Sequence, residues 1–291
     1  MPKIHQKWYY LALLSLIWGS SFILIKKGLV GLTDYQLGSL RIVLTSIFLF
    51  IVGFKSLGQI KQKDWKWVAL SGLVSSFFPP FLFAIAQSHI DSAVASILNS
   101  LTPLATALVG VAFFQIVATK RQILGVIIGL IGTSLLILAG AEVHQSQDYS
   151  YSLLILLATL GYAFNVNIIK RYLGHVSALA VTTGNFVFIV LPALGILMAT
   201  GFFATVFESP EMQKAVGFVA ILSLIGTAFA KVVFNKLVQI ASPVFASSVT
   251  YTMPIVAVLW GVFDGERFSV WQLVAAAIIL FGVFLSNKRQ R

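Results

Sequence analysis

The chain has 291 residues, of which 58% are hydrophobic and only 10% are charged. About a quarter of the residues in a typical soluble domain are charged, so this composition excludes an ordinary water-soluble fold, and the absence of cysteine excludes disulfides and cysteine-ligated metal sites. The net charge of +11 is better explained by basic residues at the cytoplasmic ends of membrane helices than by a nucleic-acid partner.

Apolar runs of about 20 residues follow one another along the chain, and each is long enough to cross about 30 Å of bilayer hydrocarbon. We therefore predict an all-α integral membrane protein with ten transmembrane helices. The first run follows basic residues but carries Trp18 and two serines, so we interpret it as a retained helix rather than a signal peptide. The predicted helices cover residues 8–26, 34–54, 67–88, 92–114, 121–141, 151–170, 177–200, 215–238, 243–263 and 269–287.

Basic residues predict the direction in which the helices run. If the N-terminus is cytoplasmic, the cytoplasmic segments hold 14 of the 20 lysines and arginines and the outer segments hold four. We therefore predict a multi-pass protein of the cytoplasmic (inner) membrane with both termini in the cytoplasm. The pair Lys26–Lys27 is an exception, because it lies on the outer side with Lys214 and Arg267.

The two halves of the chain carry similar polar and small residues at matching places. Lys26 and Lys170 are 144 residues apart (170 minus 26), and the proline pair is 151 apart (254 minus 103). We predict two repeats, residues 1–145 and 146–291, within one membrane domain. The matching pairs are Lys26 and Lys170, Pro103 and Pro254, Gly110 and Gly261, Gln122 and Gln272, and Gly132 and Gly282.

Each predicted repeat holds five helices, an odd number, so the second repeat must enter the membrane inverted. Lys26 then lies outside and Lys170 inside, which accounts for the charge exception at the first pair. Inverted repeats of this kind are typical of carriers that expose one site alternately to each side of the membrane.

The motif W-G-x-x-F from Trp18, the arginine in "GSLRIVL" (38–44) and the prolines of helices 4 and 9 resemble the EamA-like family of the drug/metabolite transporter superfamily. The resemblance implies a 5+5 inverted repeat around a central cavity, lined by helices 1, 3, 4, 6, 8 and 9. It also implies export of small metabolites or drugs. The family often carries a glutamate a dozen residues after each proline; here Glu266 is present, but Gln115 stands in the first half.

The helix breaks at Pro103 and Pro254 predict a substrate-binding and gating region. Each proline removes a backbone hydrogen bond and frees a carbonyl about one turn earlier. As an alternative, each nearby hydroxyl simply bonds back to the opened backbone. The polar residues that we expect to contact substrate there are Asn99, Thr102, Thr250 and Tyr251.

Two cations lie deep inside predicted helices. Lys231 is expected to bind an acidic group of the substrate, with Asn235 on the same helix face, although its long stem could instead reach the interface. Arg41 is expected to have a structural role, with its guanidinium on the carbonyls of broken helices. The further predicted wall residues are Trp18, Tyr162 and Asn165, and interhelical hydrogen bonding is the alternative for the asparagine.

These features predict an alternating-access transporter of small metabolites, with amino acids or related carboxylates and export favoured, or of drugs. The alternatives are a carrier of phosphorylated or nucleotide-linked metabolites and a passive channel. All nine acidic residues lie in loops or at helix ends, so we expect no buried carboxylate relay for protons, and no constellation for an enzyme is evident.

The predicted partners are a small-molecule substrate and the lipid bilayer, with no cofactor and no nucleic acid. The sequence leaves the substrate's identity, the coupling ion and homo-oligomer formation open.

Overall fold

The structure is a computed structural model that describes residues 3–115, 120–143, 147–207, 209–266 and 269–287. The described chain is helical and contains no strand. Arg267 and the basic residues from Lys288 onward, which entered the charge count, lie outside it. Its ten long helical segments are α1 (Lys3–Gly28), α2 (Asp34–Gln59), α3 (Gln62–Gln87), α4 (Ser92–Phe114), α5 (Lys120–Val143), α6 (Tyr149–Tyr172), α7 (Ala178–Ala199), α8 (Pro210–Ile240), α9 (Pro243–Phe263) and α10 (Val270–Asn287).

Eight of these segments, all except α5 and α10, are long and apolar enough to cross a membrane. In α5 and α10 the qualifying apolar stretches are shorter, Ile127–Leu136 and Val270–Gly282. Large apolar side chains such as Ile51 and Leu191 are strongly exposed on the outside of the bundle, as lipid contact requires. The structure thus confirms an all-helical membrane protein with several spans, while the count of ten and the inverted repeat stay predictions.

Several helices extend beyond their predicted ends. The polar stretch 55–66 was expected to be a loop, but α2 continues as a 3₁₀-helix to Gln59 and α3 begins at Gln62. The eighth helix begins at Pro210, five residues before the predicted start at 215. Ser209 caps it by accepting a hydrogen bond from the Met212 N–H (3.2 Å), and a proline is favoured in the first helical turn.

Helices α5 and α10 pack closely against each other because glycines remove side chains from their contact. A Cβ atom on Gly282 would lie 2.7 Å from the backbone nitrogen of Gly129, and one on Gly132 would lie 2.9 Å from that of Ile279. Such short distances leave no room for any other residue. Among the described residues this pair contributes none to the central cavity.

Four helices are irregular near the middle of the bundle. Both α3 and α8 contain π-helical turns, at Leu73–Phe77 and Leu222–Phe229. Helix α4 is interrupted between Asn99 and Thr102, and α9 contains the 3₁₀ turn Ser248–Tyr251. A π-turn changes the hydrogen-bond spacing from four residues to five and is often found at functional sites. These irregular segments surround the cavity described next.

Candidate functional site

A cavity of about 100 Å³ lies between helices α1–α4 and α6–α9, enough for several water molecules or a small organic molecule. The six helices that the resemblance implied all contribute to its wall. Helix α2 adds Arg41 and Ile42, and α7 adds Phe186. Most of the surface that faces the cavity is apolar, so the polar side chains among the lining residues decide what can bind.

The structure brings most of the predicted binding residues together at this cavity, although their contact with a substrate remains a prediction. Arg41, expected to be structural, also lines the wall. The seven wall residues among those predicted to bind substrate are Trp18, Asn99, Thr102, Tyr162, Asn165, Lys231 and Thr250.

Two predicted residues, Asn235 and Tyr251, are not part of the cavity wall. Asn235 is fully buried against α7, where its Nδ2 donates to the hydroxyl of Thr182 (2.8 Å). Tyr251 belongs to the 3₁₀ turn of α9, in which successive side chains are about 120° apart rather than about 100°. That turn brings Thr250 to the cavity and leaves its neighbour outside the wall.

Pro103 and Pro254 do not line the cavity either. Each lies in the first turn of a helix that resumes after the break. The carbonyl of Asn99, four residues before Pro103, accepts a hydrogen bond from the Thr102 hydroxyl (2.6 Å). Thr250 donates to the Ser247 carbonyl (2.9 Å), whereas the carbonyl four residues before Pro254 is that of Thr250 itself. The Thr102 hydroxyl therefore bonds back to the opened backbone, as the alternative interpretation held, while that of Thr250 bonds to a different carbonyl of its own turn. Both hydroxyls can still accept a hydrogen bond.

Lys231 is bonded to the π-turn of α3. Its Nζ donates to the hydroxyls of Ser75 (2.9 Å) and Ser76 (2.5 Å) and, at 3.4 Å, to the Ser75 carbonyl. The side chain therefore does not extend to the interface. The serine pair was not among the predicted residues, although two adjacent serines before a double proline, "SSFFPP" (75–80), were a usable signal.

Arg41 reaches from α2 to the π-turn of α8. Its Nε donates to the hydroxyl of Thr227 (2.8 Å), and that hydroxyl donates in turn to the Leu222 carbonyl (3.0 Å), five residues back. We expected carbonyl acceptors from broken helices, but the acceptor is a side-chain hydroxyl. Thr227, like the serine pair, is a cavity residue that the sequence did not indicate.

Aromatic and amide groups complete the wall. Trp18 Nε1 donates to the Gly226 carbonyl in the same π-turn (2.8 Å), and its ring contacts Phe234 with centroids 5.0 Å apart. Tyr162 stacks on Phe83. These contacts hold large rings at the cavity surface in set positions.

Asn165 has a bonded amide oxygen at the same cavity. The Ser71 hydroxyl of α3 donates to Asn165 Oδ1 (2.6 Å). Asn165 therefore lines the cavity wall and also makes the interhelical hydrogen bond that was the alternative expectation.

One end of the bundle, which we call the Lys26 end, is joined by ion pairs. Lys26 Nζ lies 2.9 Å from both an Asp264 and a Glu266 carboxylate oxygen, and Lys27 also pairs with Asp264. The Glu266 side chain is only 1% exposed and accepts from the Ser92 hydroxyl (2.6 Å) at the start of α4. Glu266 thus lies in a loop, as expected, but its carboxylate is buried.

Burial opposes ionisation of Asp264, but hydrogen bonds from Lys26 and Lys27 outweigh it and hold the pKa of this carboxyl below its usual 3.8. The Asp264 carboxylate is therefore ionised at neutral pH.

The opposite end, the Lys170 end, is joined mainly through carbonyls. Lys170 Nζ donates to the carbonyls of Val238 (3.4 Å), Gln239 (3.2 Å) and Ala241 (2.7 Å) at the end of α8. Helix α9 begins beside Lys170 and ends beside Lys26, and its 21 residues span about 31 Å. The two lysines therefore lie at opposite ends of the bundle.

Several membrane-spanning helices around a central cavity with a few polar groups define a membrane transport protein. The chain belongs to the EamA-like transporter family, whose model matches residues 6–138 and again residues 150–288.

Named relatives agree with this assignment, and a solved structure shares the fold. The Escherichia coli K12 protein called "uncharacterized inner membrane transporter YedA" is 26% identical over 94% of this chain and 87% of its own length. A "probable terminal-alkyne amino-acid exporter" of Streptantibioticus cattleyicolor is 26% identical over 99% and 95%. A crystal structure that is 15% identical superposes with a TM-score of 0.61, covering 95% of this chain and 94% of its own, and supports the fold alone.

Proposed function

We propose that this chain is an alternating-access exporter of small carboxylate-bearing metabolites, with amino acids and related acids as the leading class. The observation that carries the proposal is the charge of the cavity: Arg41 and Lys231 both line it, and no acidic or histidine side chain is among the described wall residues. Two cations in an apolar site are costly unless an anion compensates them. A substrate carboxylate is such an anion.

The substrate class is bounded by size and charge. A cavity of about 100 Å³ suits a metabolite with few atoms, and a phosphorylated or nucleotide-linked substrate would call for more than two cationic groups. The Streptantibioticus cattleyicolor relative, whose name includes amino-acid export, supports both the class and the outward direction. Because the wall is mostly apolar, small apolar drugs that carry an acidic group are also candidate substrates.

Metabolite profiling of cells that overexpress the chain tests this function. We expect the wild type to release a carboxylate metabolite into the medium and the double variant Arg41→Ala/Lys231→Ala, which removes both cavity cations, to retain it. Arg171→Ala/Lys236→Ala is the matched control, because it removes two exposed cations. Identical profiles for the wild type and the double cavity variant, or release of only non-acidic metabolites, would contradict the proposal.

We also propose that the Lys26 end faces the outside and the Lys170 end faces the cytoplasm. The chain contains no cysteine, so single-cysteine variants are directly available. Val30 and Arg171 are exposed near the two ends. We expect a membrane-impermeant maleimide to label Val30→Cys but not Arg171→Cys in intact cells, whereas labelling of both or neither would refute this orientation.

A further inference from the structure

We propose that Arg41 binds the carboxylate of the substrate and that Lys231 instead ties α3 to α8. The inference rests on the proposed function, since it assigns the carboxylate of that substrate to one of two cations in the cavity. It reverses the roles expected from the sequence, in which Lys231 was to bind the substrate and Arg41 was structural.

The N–H donors of Lys231 already have acceptors within the protein. A lysine ammonium has three N–H donors, and the structure gives this one three acceptors: two hydroxyls and one carbonyl of Ser75 and Ser76. The side chain is only 9% exposed. A carboxylate could bind there only by displacing a serine from the ammonium. The positive charge still favours an anion in the cavity, but the direct contact is occupied.

Arg41 is in the opposite situation. A guanidinium has five N–H donors. Within the described part of the chain, Arg41 donates a side-chain hydrogen bond only from Nε. The four N–H groups on Nη1 and Nη2 remain, in the planar fork that matches the two oxygens of a carboxylate. Arg41 is only partly buried and lines the cavity, so a ligand can approach it.

Thr227 positions the guanidinium. Its hydroxyl hydrogen is donated to the Leu222 carbonyl, so its lone pairs are left to accept from Arg41 Nε. The five-residue spacing of this bond belongs to the π-turn of α8, which therefore sets the orientation of the arginine. Thr227 acts through Arg41 and is a positioning residue, not a binding residue.

Thermal-shift titration of the purified full chain tests the assignment. The probes are L-amino acids and short monocarboxylates, each paired with its amide, and inorganic phosphate. We expect carboxylates, but not amides, to raise the melting temperature of the wild type. Arg41→Gln should weaken carboxylate affinity by about thirtyfold, the usual effect of losing charge-assisted hydrogen bonds. Arg41→Lys should recover little, because an ammonium has no fork.

The matched variants separate binding from structure. Lys231→Gln should weaken affinity far less than Arg41→Gln, while lowering the melting temperature of the ligand-free protein. Thr227→Val should weaken affinity by about fivefold, for one neutral hydrogen bond, and Thr227→Ser should restore it. Arg171→Gln, which removes an exposed arginine, controls for the loss of charge.

The possible failures are distinguishable. If Lys231→Gln loses more affinity than Arg41→Gln, or Arg41→Lys binds as the wild type does, the inference is wrong and the proposed function stands. If Arg41→Gln does not fold, Arg41→Lys and Thr227→Val decide the question. If no carboxylate stabilises the wild type, or if only phosphate does, both the proposed substrate class and the inference about Arg41 are wrong.

Discussion

Lys26 and Lys170 occupy matching places in the two halves of the sequence, yet they bind different groups. Lys26 pairs with the carboxylates of Asp264 and Glu266, and Lys170 donates to carbonyls at the end of α8. The first arrangement is a charged network around a buried acid. The second is a cation at a helix C-terminus, where the partial negative charge of the helix dipole attracts it.

The difference follows from which acids each half contains. Glu266 has Gln115 as its counterpart in the first half, so no matching carboxylate follows α4. Gln115 instead ends α4 in a left-handed backbone conformation, with φ at 60°. Within the predicted repeat, the lysine keeps its position while its partner changes. In an alternating-access cycle, opening the Lys26 end would separate ions, whereas opening the Lys170 end would mainly break hydrogen bonds to neutral carbonyls.

The largest expected effect comes from removing the lysine of the charged end. Lys26→Met leaves the buried Glu266 carboxylate without a counter-ion, although Ser92 still donates to it. Loss of one partner of a buried pair is strongly destabilising, and we expect a loss of about 2 kcal/mol in the free energy of unfolding. Denaturant unfolding in detergent micelles measures it. Lys27→Met, at the more exposed lysine, should cost less than about 1 kcal/mol, and equal losses would contradict this account.

The acid of the same pair should show a smaller effect, coupled to the first. Glu266→Gln keeps an oxygen that can accept from Ser92 but removes the charge, so we expect a loss of about 1 kcal/mol. In a double-mutant cycle with Lys26→Met, the double variant should lose about 1 kcal/mol less unfolding free energy than the sum of the two single losses. Strict additivity would show that the 2.9 Å contact contributes no coupling energy.

The membrane helices were predictable because hydrocarbon thickness sets a length that any apolar run reveals. The cavity wall near Thr102 and Thr250 was also indicated, since proline reports a helix break directly. Asn235 was placed wrongly because a shared helix face is too coarse a criterion: its side chain packs on α7 although Lys231, four residues earlier, reaches the cavity.

No comparable feature of the sequence indicated the π-turns. Groups from other helices contact them: Trp18 donates to the Gly226 carbonyl, Arg41 donates to Thr227, and Lys231 bonds the turn of α3. Such partners are distant in sequence, so the local pattern does not reveal them. For the same reason, the burial of Glu266 depended on the start of α4, far away along the chain.

Acid should weaken the Lys26 end selectively. Because the pKa of Asp264 is held below its usual 3.8, the stability that this carboxylate contributes is complete above that pH. It is lost as the pH falls through the lowered, folded-state value. We therefore expect the difference in melting temperature between wild type and Asp264→Asn to stay constant from neutral pH to about pH 4 and to shrink below it. A difference that already disappears between pH 7 and pH 5 would exclude this origin.

The smallest expected effect is at the carbonyl end. Lys170 is exposed and its acceptors are backbone carbonyls, which water can replace, so Lys170→Ala should cost only about 0.5 kcal/mol of unfolding free energy. The neighbouring Arg171→Ala is the matched control and should cost still less, because within the described part of the chain no hydrogen bond or ion pair joins Arg171 to α8. Added salt should remove most of the Lys170 effect but little of the Lys26 effect, because a buried acid is screened less than an exposed charge. A loss at Lys170 as large as that at Lys26 would show that the two ends are joined with equal strength, and the contrast between ion pairs and carbonyl contacts would then have no energetic consequence.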